Sequence, residues 1–322
     1  MRAVVYERYG SPDVLELKEV PTPTPKDDEV LVRVRAVSIN DWDWGLLQGV
    51  PLIGRLMSGV FRPKQPILGS DIAGRIDAIG RNVKRFKPGD EVFGDLSGRW
   101  GGFAEYVCAP ETALALKPPA MTFAEAAAIP QAAMLAAQGL RDRGEIHTGQ
   151  KVLINGAGGG VGTFAVQIAK QYGVEVTGID SSAKLDLLRS IGFDKVIDYT
   201  KEDFTRNGIR YDLILDVKTN RSVFAYARAL STNGTYVTVG GSMLRLLQIV
   251  FLAPLIARIS KKKMRVVMLK ANKDLAYMIE LFEAGKVKPV MDRIRALSDI
   301  PEAMRYFGAG NHKGKVVIEL SA

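Results

Sequence analysis

The chain has 322 residues, enough for about two domains, and its 47% hydrophobic and 25% charged residues are typical of a globular protein and exclude a disordered one. Lys and Arg outnumber Asp and Glu by 44 to 35, and this formal net charge of +9 favours anionic partners without choosing among phosphates, acidic lipids and nucleic acid. Cys108 is the only cysteine, which excludes an intrachain disulfide and a cysteine-rich zinc site.

The N-terminal third is predicted to be rich in strands. Ala3–Tyr6 has the pattern of a strand and not that of a signal peptide, so a reducing, cytoplasmic compartment is expected. Glu29–Val37 alternates with period two, which predicts a half-buried strand. Further strands are expected at Ile72–Ile76 and, after a Lys-Pro-Gly-Asp turn, at Glu91–Phe93. No stretch reaches the roughly 20 uninterrupted apolar residues of a membrane span.

From about residue 120 the pattern changes to alternating helices and strands. Thr122 and Glu125 form a capping-box pattern, which predicts a helix to about Leu140. The elements that follow are predicted as strand, helix, strand and helix at Lys151–Asn155, Val161–Tyr172, Glu175–Ile179 and Lys184–Ile191, and then as strands at Lys195–Ile197, Leu213–Leu215 and Tyr236–Val239. This alternation predicts a parallel sheet covered on both faces. A helix at Asp274–Ala284 and short strands ending at Lys315–Glu319 are expected to fold back onto the first domain.

A glycine-rich loop lies between the first of these strands and its helix. A dinucleotide needs small residues there because the backbone turns sharply, approaches the pyrophosphate and packs the helix on the sheet, while the amides at the helix start hold the phosphates. The alternative is a tight structural turn that binds nothing. The candidate positions are Gly156, Gly159, Gly160, Val161 and Gly162.

The end of the next strand carries a carboxylate followed by polar residues. Asp180 stands where an acidic residue binds the ribose hydroxyls of NAD. Ser181, Ser182 and Lys184 follow it, and they suit the 2′-phosphate of NADP instead. Asp180 is alternatively the N-cap of the following helix.

Motifs spread over nearly the whole chain are shared with one family. They are Ser38–Trp44, Gly69–Gly74, Phe86–Val92, Gly102–Val107, Asn155–Gly162, Val196–Tyr199 and Gly314–Val317. On these motifs the chain resembles the medium-chain dehydrogenase/reductase superfamily and, within it, the zinc-free quinone oxidoreductase branch related to zeta-crystallin.

The resemblance implies an α/β fold of two domains. A Rossmann doubly wound parallel sheet is expected over residues 121–271, and a GroES-like β-rich catalytic domain over residues 1–120 and 272–322. NADP(H) is the favoured cofactor, with NAD(H) as the alternative. Ser181 and Lys184 are expected at an adenosine phosphate, Tyr199 beside the adenine, and Gly240 and Gly241 near the nicotinamide.

No zinc is expected. Zinc-dependent relatives carry Gly-His-Glu where this chain has Gly69-Ser70-Asp71, and a cysteine near Asn40. Without such a Lewis acid, hydride transfer to a quinone or an α,β-unsaturated carbonyl is favoured, because these acceptors delocalise the arriving charge onto oxygen. Gly45–Leu47 and Leu135 replace the Tyr and Thr of many relatives, which implies a small, hydrophobic acceptor.

Two residues are candidates for catalysis. Asn40 offers an amide hydrogen bond to the developing anion, and Asp43 is expected to orient Asn40 or to relay a proton from water. Both residue types also favour turns, and shaping a turn is the alternative for each.

A second apolar and basic feature lies between residues 243 and 263. Met243–Ile259 is apolar but interrupted by Pro254, and three lysines follow it. With the apolar patch Gly49–Phe61 it suits a lid or a peripheral membrane contact, whereas a core helix with a dimer contact is the favoured alternative. A homodimer through the edge strand Arg265–Leu269 is implied by the resemblance.

Three functions remain open from the sequence. An NAD(P)H-dependent quinone or enone reductase is favoured. The alternatives are a non-catalytic nucleotide-sensing protein that binds membrane or RNA through its basic surface, and a zinc-free alcohol or ketone dehydrogenase. No nucleic-acid-binding motif is present, so a nucleic-acid partner is not expected.

Overall fold

The computed structural model describes residues 1–50 and 55–320. It divides the chain into two compact units. The first unit contains Met1–Gln131, Ala271–Glu283 and the residues from Met291 onward, and the second contains Ala132–Lys270 and Ala284–Val290. The first unit extends beyond residue 120 because the helix at Phe123–Ala128 packs on its sheet.

The described residues form 15 strands and ten α-helices. The strands are β1 (Arg2–Val5), β2 (Glu16–Glu19), β3 (Glu29–Ser38), β4 (Asp71–Ile79), β5 (Glu91–Asp95), β6 (Tyr106–Pro110), β7 (Ala115–Leu116), β8 (Lys151–Asn155), β9 (Glu175–Asp180), β10 (Lys195–Asp198), β11 (Tyr211–Asp216), β12 (Leu230–Thr238), β13 (Lys263–Val266), β14 (Met291–Ala296) and β15 (Lys315–Glu319). The α-helices are α1 (Asp41–Gln48), α2 (Arg55–Ser58), α3 (Phe123–Ala128), α4 (Pro130–Ala137), α5 (Gly160–Lys170), α6 (Leu185–Ser190), α7 (Val223–Ala229), α8 (Met243–Ser260), α9 (Leu275–Glu283) and α10 (Ile300–Gly308).

The first unit is built on a largely antiparallel sheet. Its strand order is β14-β15-β3-β4-β5-β7, and β6 also pairs with β3. The alternation at Glu29–Val37 predicted a half-buried strand, and this was wrong: along β3 only Arg33 is exposed. Because β3 pairs with three strands and contacts α3, its polar positions are covered as well. Arg35, for example, lies over the ring of Phe123 in α3.

The second unit contains the predicted parallel sheet. Its strand order is β10-β9-β8-β11-β12-β13, and every pair is parallel. The chain runs outward from β8 to β10, returns, and continues outward from β11 to β13. The order therefore reverses between β8 and β11, and ligands of such sheets bind at the carboxyl ends of the strands at this reversal.

Several helices differ from their predicted bounds. The helix expected from Thr122 to about Leu140 is divided into α3, α4 and a π-helical segment Gln138–Arg143, because Pro130 cannot continue the hydrogen bonding of α3 and starts a new helix. The helix expected from Lys184 begins at Leu185, after a 3₁₀ turn at Ser182–Lys184. The capping box at Thr122 and Glu125 is present as predicted.

The apolar segment after residue 243 forms one continuous helix, α8, with Pro254 inside it. The favoured interpretation was a core helix with a dimer contact: within this chain α8 is not a core helix, since only Ile249 and Ile256 are buried, and the dimer contact stays a prediction. By length and composition alone α8 would suit a membrane span. In the apolar patch Gly49–Phe61, residues 51–54 lie outside the described residues, and Phe61 is exposed.

Candidate functional site

The glycine-rich loop lies at the reversal point of the parallel sheet. The amides of Gly156 and Ala157 donate to the carbonyl of Ile179 in β9, so the loop crosses over the neighbouring strand. Gly156 has φ +83°, which favours glycine. A Cβ on Gly162 would lie 2.5 Å from the Cα and carbonyl oxygen of Ala157, so glycine is required for the packing of α5 against the loop.

The loop presents only a small part of its backbone. Gly159 is the N-cap of α5 and Gly160 begins the helix, and both are partly exposed, whereas Gly156, Val161 and Gly162 are buried. The amides in the first turn of a helix have no partner within the helix. They offer hydrogen bonds, together with the positive end of the helix dipole, to an anion.

Asp180 holds the glycine-rich loop in place. Its Oδ2 accepts from the Gly158 amide at 2.8 Å and its Oδ1 from the Ser181 amide at 2.9 Å. The alternative interpretation of Asp180 as a helix N-cap was wrong, because Ser181 occupies that position. Both carboxylate oxygens thus have backbone donors in this unit.

Lys184 places a cation beside the same loop. Its Nζ lies 3.8 Å from Oδ1 of Asp180, and its methylene groups pack on Gly158, where an added Cβ would lie 2.7 Å from Cδ. Ser182, also considered for a 2′-phosphate, instead donates its hydroxyl to Asp198. Hydrogen bonds from Ser182 and Thr200 lower the pKa of Asp198 to about 2, so Asp198 is charged.

Three other candidates lie at the carboxyl ends of their strands. Tyr199 directly follows β10, donates its amide to the carbonyl of Asp180, and has 48% of its surface exposed. Gly240 and Gly241 follow β12, and the carbonyl of Gly240 accepts from the hydroxyl groups of Thr219 and Thr238. All the candidate residues of the second unit therefore belong to one edge of its sheet.

Sequence reasoning missed two polar features at this edge. Asn155, at the end of β8, donates to Asp216, at the end of β11, over 2.8 Å, and this bond ties together the strands on either side of the reversal. Lys218 is exposed, and an added Cβ on Gly156 would lie 3.1 Å from its Cγ. The position of Lys218 just after β11 could have identified it, because the residues that follow β8 and β11 lie at the reversal point, where ligands bind.

In the first unit Asn40 lies in a buried polar cluster. The antiparallel register pairs Ser38 of β3 with both Val317 of β15 and Asp71 of β4, so Asn40 and Lys315 are brought together. The Lys315 ammonium donates to Oδ1 of Asn40 and lies 3.6 Å from Oδ2 of Asp71. An ammonium only donates, so it requires the amide oxygen of Asn40, and the amide NH₂ group donates to the Ser38 carbonyl at 3.5 Å.

Asp43 lies below Asn40 at the start of α1. It is fully buried, and its oxygens accept from the amides of Asn40 and Gly69, each at 2.9 Å. Relay of a proton from water does not fit this environment, whereas orientation of Asn40 at the start of α1 does. The orientation of Asn40 and the shaping of the turn before α1 both suit these contacts, and the role of Asp43 stays a prediction.

Burial dominates the electrostatics of this cluster. It raises the pKa of Asp43 and of Asp71 to about 7, against the opposing effects of backbone hydrogen bonds at Asp43 and of the Lys315 charge at Asp71. Burial also lowers the pKa of Lys315, while Asp71 acts in the other direction. Sequence reasoning gave no role to Lys315, because its partner Asn40 lies 275 residues earlier in the chain.

Comparison with known proteins gives the family. Residues 26–119 match the alcohol dehydrogenase GroES-like domain, and residues 191–318 match a family described as zinc-binding dehydrogenase. Quinone-oxidoreductase QR1 of Triphysaria versicolor is 33% identical, over 99% of this chain and 98% of its own. The NADPH-dependent alkenal/one oxidoreductase of Arabidopsis thaliana is 32% identical, over 99% of this chain and 79% of its own.

The structure of this chain is also similar to that of a quinone oxidoreductase. The structure of the quinone oxidoreductase from Coxiella burnetii superposes with a TM-score of 0.87 at 27% identity, and the match covers 100% of this chain and 99% of the other. The parallel sheet with its reversed order and the β-rich first unit are the two domains expected from the resemblance. The chain belongs to the medium-chain dehydrogenase/reductase superfamily, within its zinc-free quinone oxidoreductase branch.

Proposed function

We propose that this chain transfers hydride from NADPH to a small, hydrophobic quinone or α,β-unsaturated carbonyl compound. The observation that carries the proposal is the loop at the sheet reversal, where Gly159 and Gly160 present helix-start amides. Relatives named for the reduction of quinones and of alkenals or enones match over nearly the whole chain, which supports this class of acceptor.

The residues around the loop fit a nicotinamide dinucleotide. Gly159, Gly160 and the start of α5 would hold the pyrophosphate, with Lys218 beside Gly156 as a further cation. Lys184 supports NADPH over NADH, because it places a positive charge beside Ser181, whereas both oxygens of Asp180 already accept backbone hydrogen bonds. Tyr199 offers an exposed ring to the adenine. When bound, the cofactor supplies the hydride.

Asn40 is proposed to stabilise the charge that develops on the acceptor oxygen. Lys315 fixes the amide oxygen, and Asp43 fixes the backbone amide, so the Asn40 NH₂ group is oriented before the reaction begins. Asp71 keeps the ammonium of Lys315 in place. The proton that completes the reduction is assigned to solvent, since Asp43 is fully buried.

We further propose that the reaction needs no zinc. The chain contains one cysteine and two histidines, and in its described parts no three His, Cys, Asp or Glu side chains are grouped as a metal site would require. This small set of donors supports zinc independence, even though the matching family is described as zinc-binding dehydrogenase. The expected homodimer stays a prediction. It is supported by the position of β13 at the sheet edge, although this strand is Lys263–Val266 and not Arg265–Leu269.

The test is a titration of the purified chain with NADPH and with NADH, followed by nicotinamide fluorescence. A panel of quinones, enones, alkenals, simple ketones and alcohols is then assayed with and without a zinc chelator. We expect tighter binding of NADPH, turnover of conjugated acceptors, and no effect of the chelator. Binding of neither nucleotide would contradict the proposal and favour a non-catalytic role. Turnover of alcohols that the chelator abolishes would favour a zinc-dependent dehydrogenase.

A further inference from the structure

Helix α8 presents a broad apolar surface to solvent. Ile249 and Ile256 pack on the sheet of the second unit together with Tyr236 and Met264, which fixes the side of α8 that faces the protein. The other side carries large side chains with 43% to 75% of their surface exposed, namely Met243, Leu244, Leu247, Val250, Phe251, Leu255 and Ile259. Such a continuous exposed apolar patch is typical of a binding surface.

The net positive charge of the protein comes from the part of the sequence that contains α8. Between Val217 and Lys273 there are 11 Lys and Arg residues and no Asp or Glu. The remaining 33 basic and 35 acidic residues give the rest of the chain a net charge of −2. The apolar helix therefore lies within an entirely basic stretch of sequence.

The cations at the end of α8 differ in their partners. Arg258 and Lys261 are exposed, and Lys261 ends the helix in a left-handed conformation. Lys263 and Arg265 both pair with Glu145. Lys262 donates to the carbonyl of Ala227. Arg258 and Lys261 thus add positive charge to the rim of the apolar surface.

We propose that α8 docks on the surface of a bilayer that contains anionic lipid. The helix lies in the plane of the interface, its exposed side chains enter the acyl region, and Arg258 and Lys261 contact lipid phosphates. A helix of 18 residues is about 27 Å long and makes a continuous contact in this orientation. Ile249 and Ile256 remain packed on the sheet, so α8 does not cross the membrane.

The charge and the apolar surface of α8 together favour an anionic bilayer over a second copy of the chain and over RNA. In a two-fold dimer through the exposed side of α8, Arg258 and Lys261 would face their own copies, and like charges would oppose association. This argument does not apply to a dimer through β13, where Lys263 and Arg265 pair with Glu145. RNA would match the charge, but its phosphate backbone would not bury the exposed Leu and Phe side chains. An anionic bilayer satisfies both properties. The inference does not depend on the proposed reaction, because it uses neither the glycine-rich loop nor the Asn40 cluster.

The experiment is co-sedimentation of the full chain with phosphatidylcholine vesicles and with vesicles that also contain phosphatidylglycerol. We expect at least about tenfold stronger partition onto the anionic vesicles, weakened by salt. Leu255→Ser with Phe251→Ser, and separately Arg258→Glu with Lys261→Glu, should each reduce this partition by about tenfold or more. Leu116→Ser is the matched control, since Leu116 is 55% exposed and Leu255 is 51% exposed.

The oligomeric state and the melting temperature of each variant are measured alongside. Unchanged melting temperatures show that a loss of partition is not a loss of folding. Equal partition onto both vesicle types, or none, would overturn the proposal. So would a variant at Leu255 and Phe251 that becomes monomeric from a dimer, which would assign α8 to a second copy. Partition that depends on charge but not on Leu255 and Phe251 would also overturn it, because the basic stretch would then adsorb to the lipid without entry of α8 into the acyl region.

Discussion

At the end of β9, Lys184 and Asp180 bring opposite charges to the glycine-rich loop. Asp180 accepts from the amides of Gly158 and Ser181, and the Lys184 ammonium lies 3.8 Å from Oδ1 of Asp180. In the proposed function, Lys184 is the charged group that distinguishes a phosphate from a hydroxyl. The proposed preference for NADPH over NADH therefore rests on Lys184, whereas the sequence pattern at this position suits both cofactors.

We expect Lys184→Ala to raise the KM for NADPH by about tenfold and to leave the KM for NADH nearly unchanged, because only the 2′-phosphate needs the cation. Steady-state kinetics with one quinone and both nucleotides measures this. Lys201→Ala is the control, since Lys201 is an exposed lysine 3.8 Å from Asp198 on the next strand. A parallel rise for NADH would mean instead that Lys184 acts by packing on Gly158.

At the scale of elements, the glycine positions of the loop have different functions. Gly159 is in an extended conformation that any residue adopts, with φ −88° and ψ −179°, and it is partly exposed. Gly162 is buried, and a Cβ added to it would lie 2.5 Å from the backbone of Ala157. Gly159 is thus suited to the approach of a phosphate, and Gly162 to the packing of α5.

We expect Gly159→Leu to abolish nucleotide binding and to keep the melting temperature of the parent, because the new side chain covers the exposed amides without strain in the backbone. Gly162→Ala should lower the stability by about 1–3 kcal/mol, since the loop backbone must move to admit a methyl group. Isothermal titration with NADPH and thermal unfolding separate the two effects. Unchanged affinity in Gly159→Leu would refute this location of the pyrophosphate.

The elements that sequence predicted well are those whose cause is local. The loop Gly156–Gly162, the capping box at Thr122 and the strands β8 and β9 depend on neighbouring residues, so their patterns are visible in a short window. The contact between Lys315 and Asn40 depends on strand register across the whole first unit, and no local pattern contains it. Helix α8 was misjudged because hydropathy predicts burial, but the sheet covers only the side with Ile249 and Ile256.

At the scale of the whole molecule, the buried carboxyl groups couple folding to pH. Asp198 and Asp43 have opposite environments: hydrogen bonds lower the pKa of Asp198 to about 2, and burial raises the pKa of Asp43 to about 7. In the unfolded chain both groups titrate near 3.8. Between about pH 3.8 and pH 7, Asp43 therefore holds a proton in the native state that it has released in the unfolded chain.

The contribution of Asp43 to stability is therefore complete below about pH 4 and is lost as the pH rises to about 7. We expect Asp43→Asn to cost the most stability at pH 4.5 and progressively less towards pH 7.5, with a change on the order of 1 kcal/mol or more over this range. The amide also loses one hydrogen bond to the backbone amides of Asn40 and Gly69, but this cost does not vary with pH and cancels in the slope.

Urea unfolding of the parent and of both variants at a series of pH values gives the measurement. Asp198→Asn is the matched control, because Asp198 is ionised in both the folded and the unfolded chain throughout this range, so its effect should not change with pH. A cost for Asp43→Asn that is equally independent of pH would mean that Asp43 stays charged in the native state. In that case the ammonium of Lys315 would have to compensate two buried carboxylates, and the orientation of Asn40 would depend on both ion pairs.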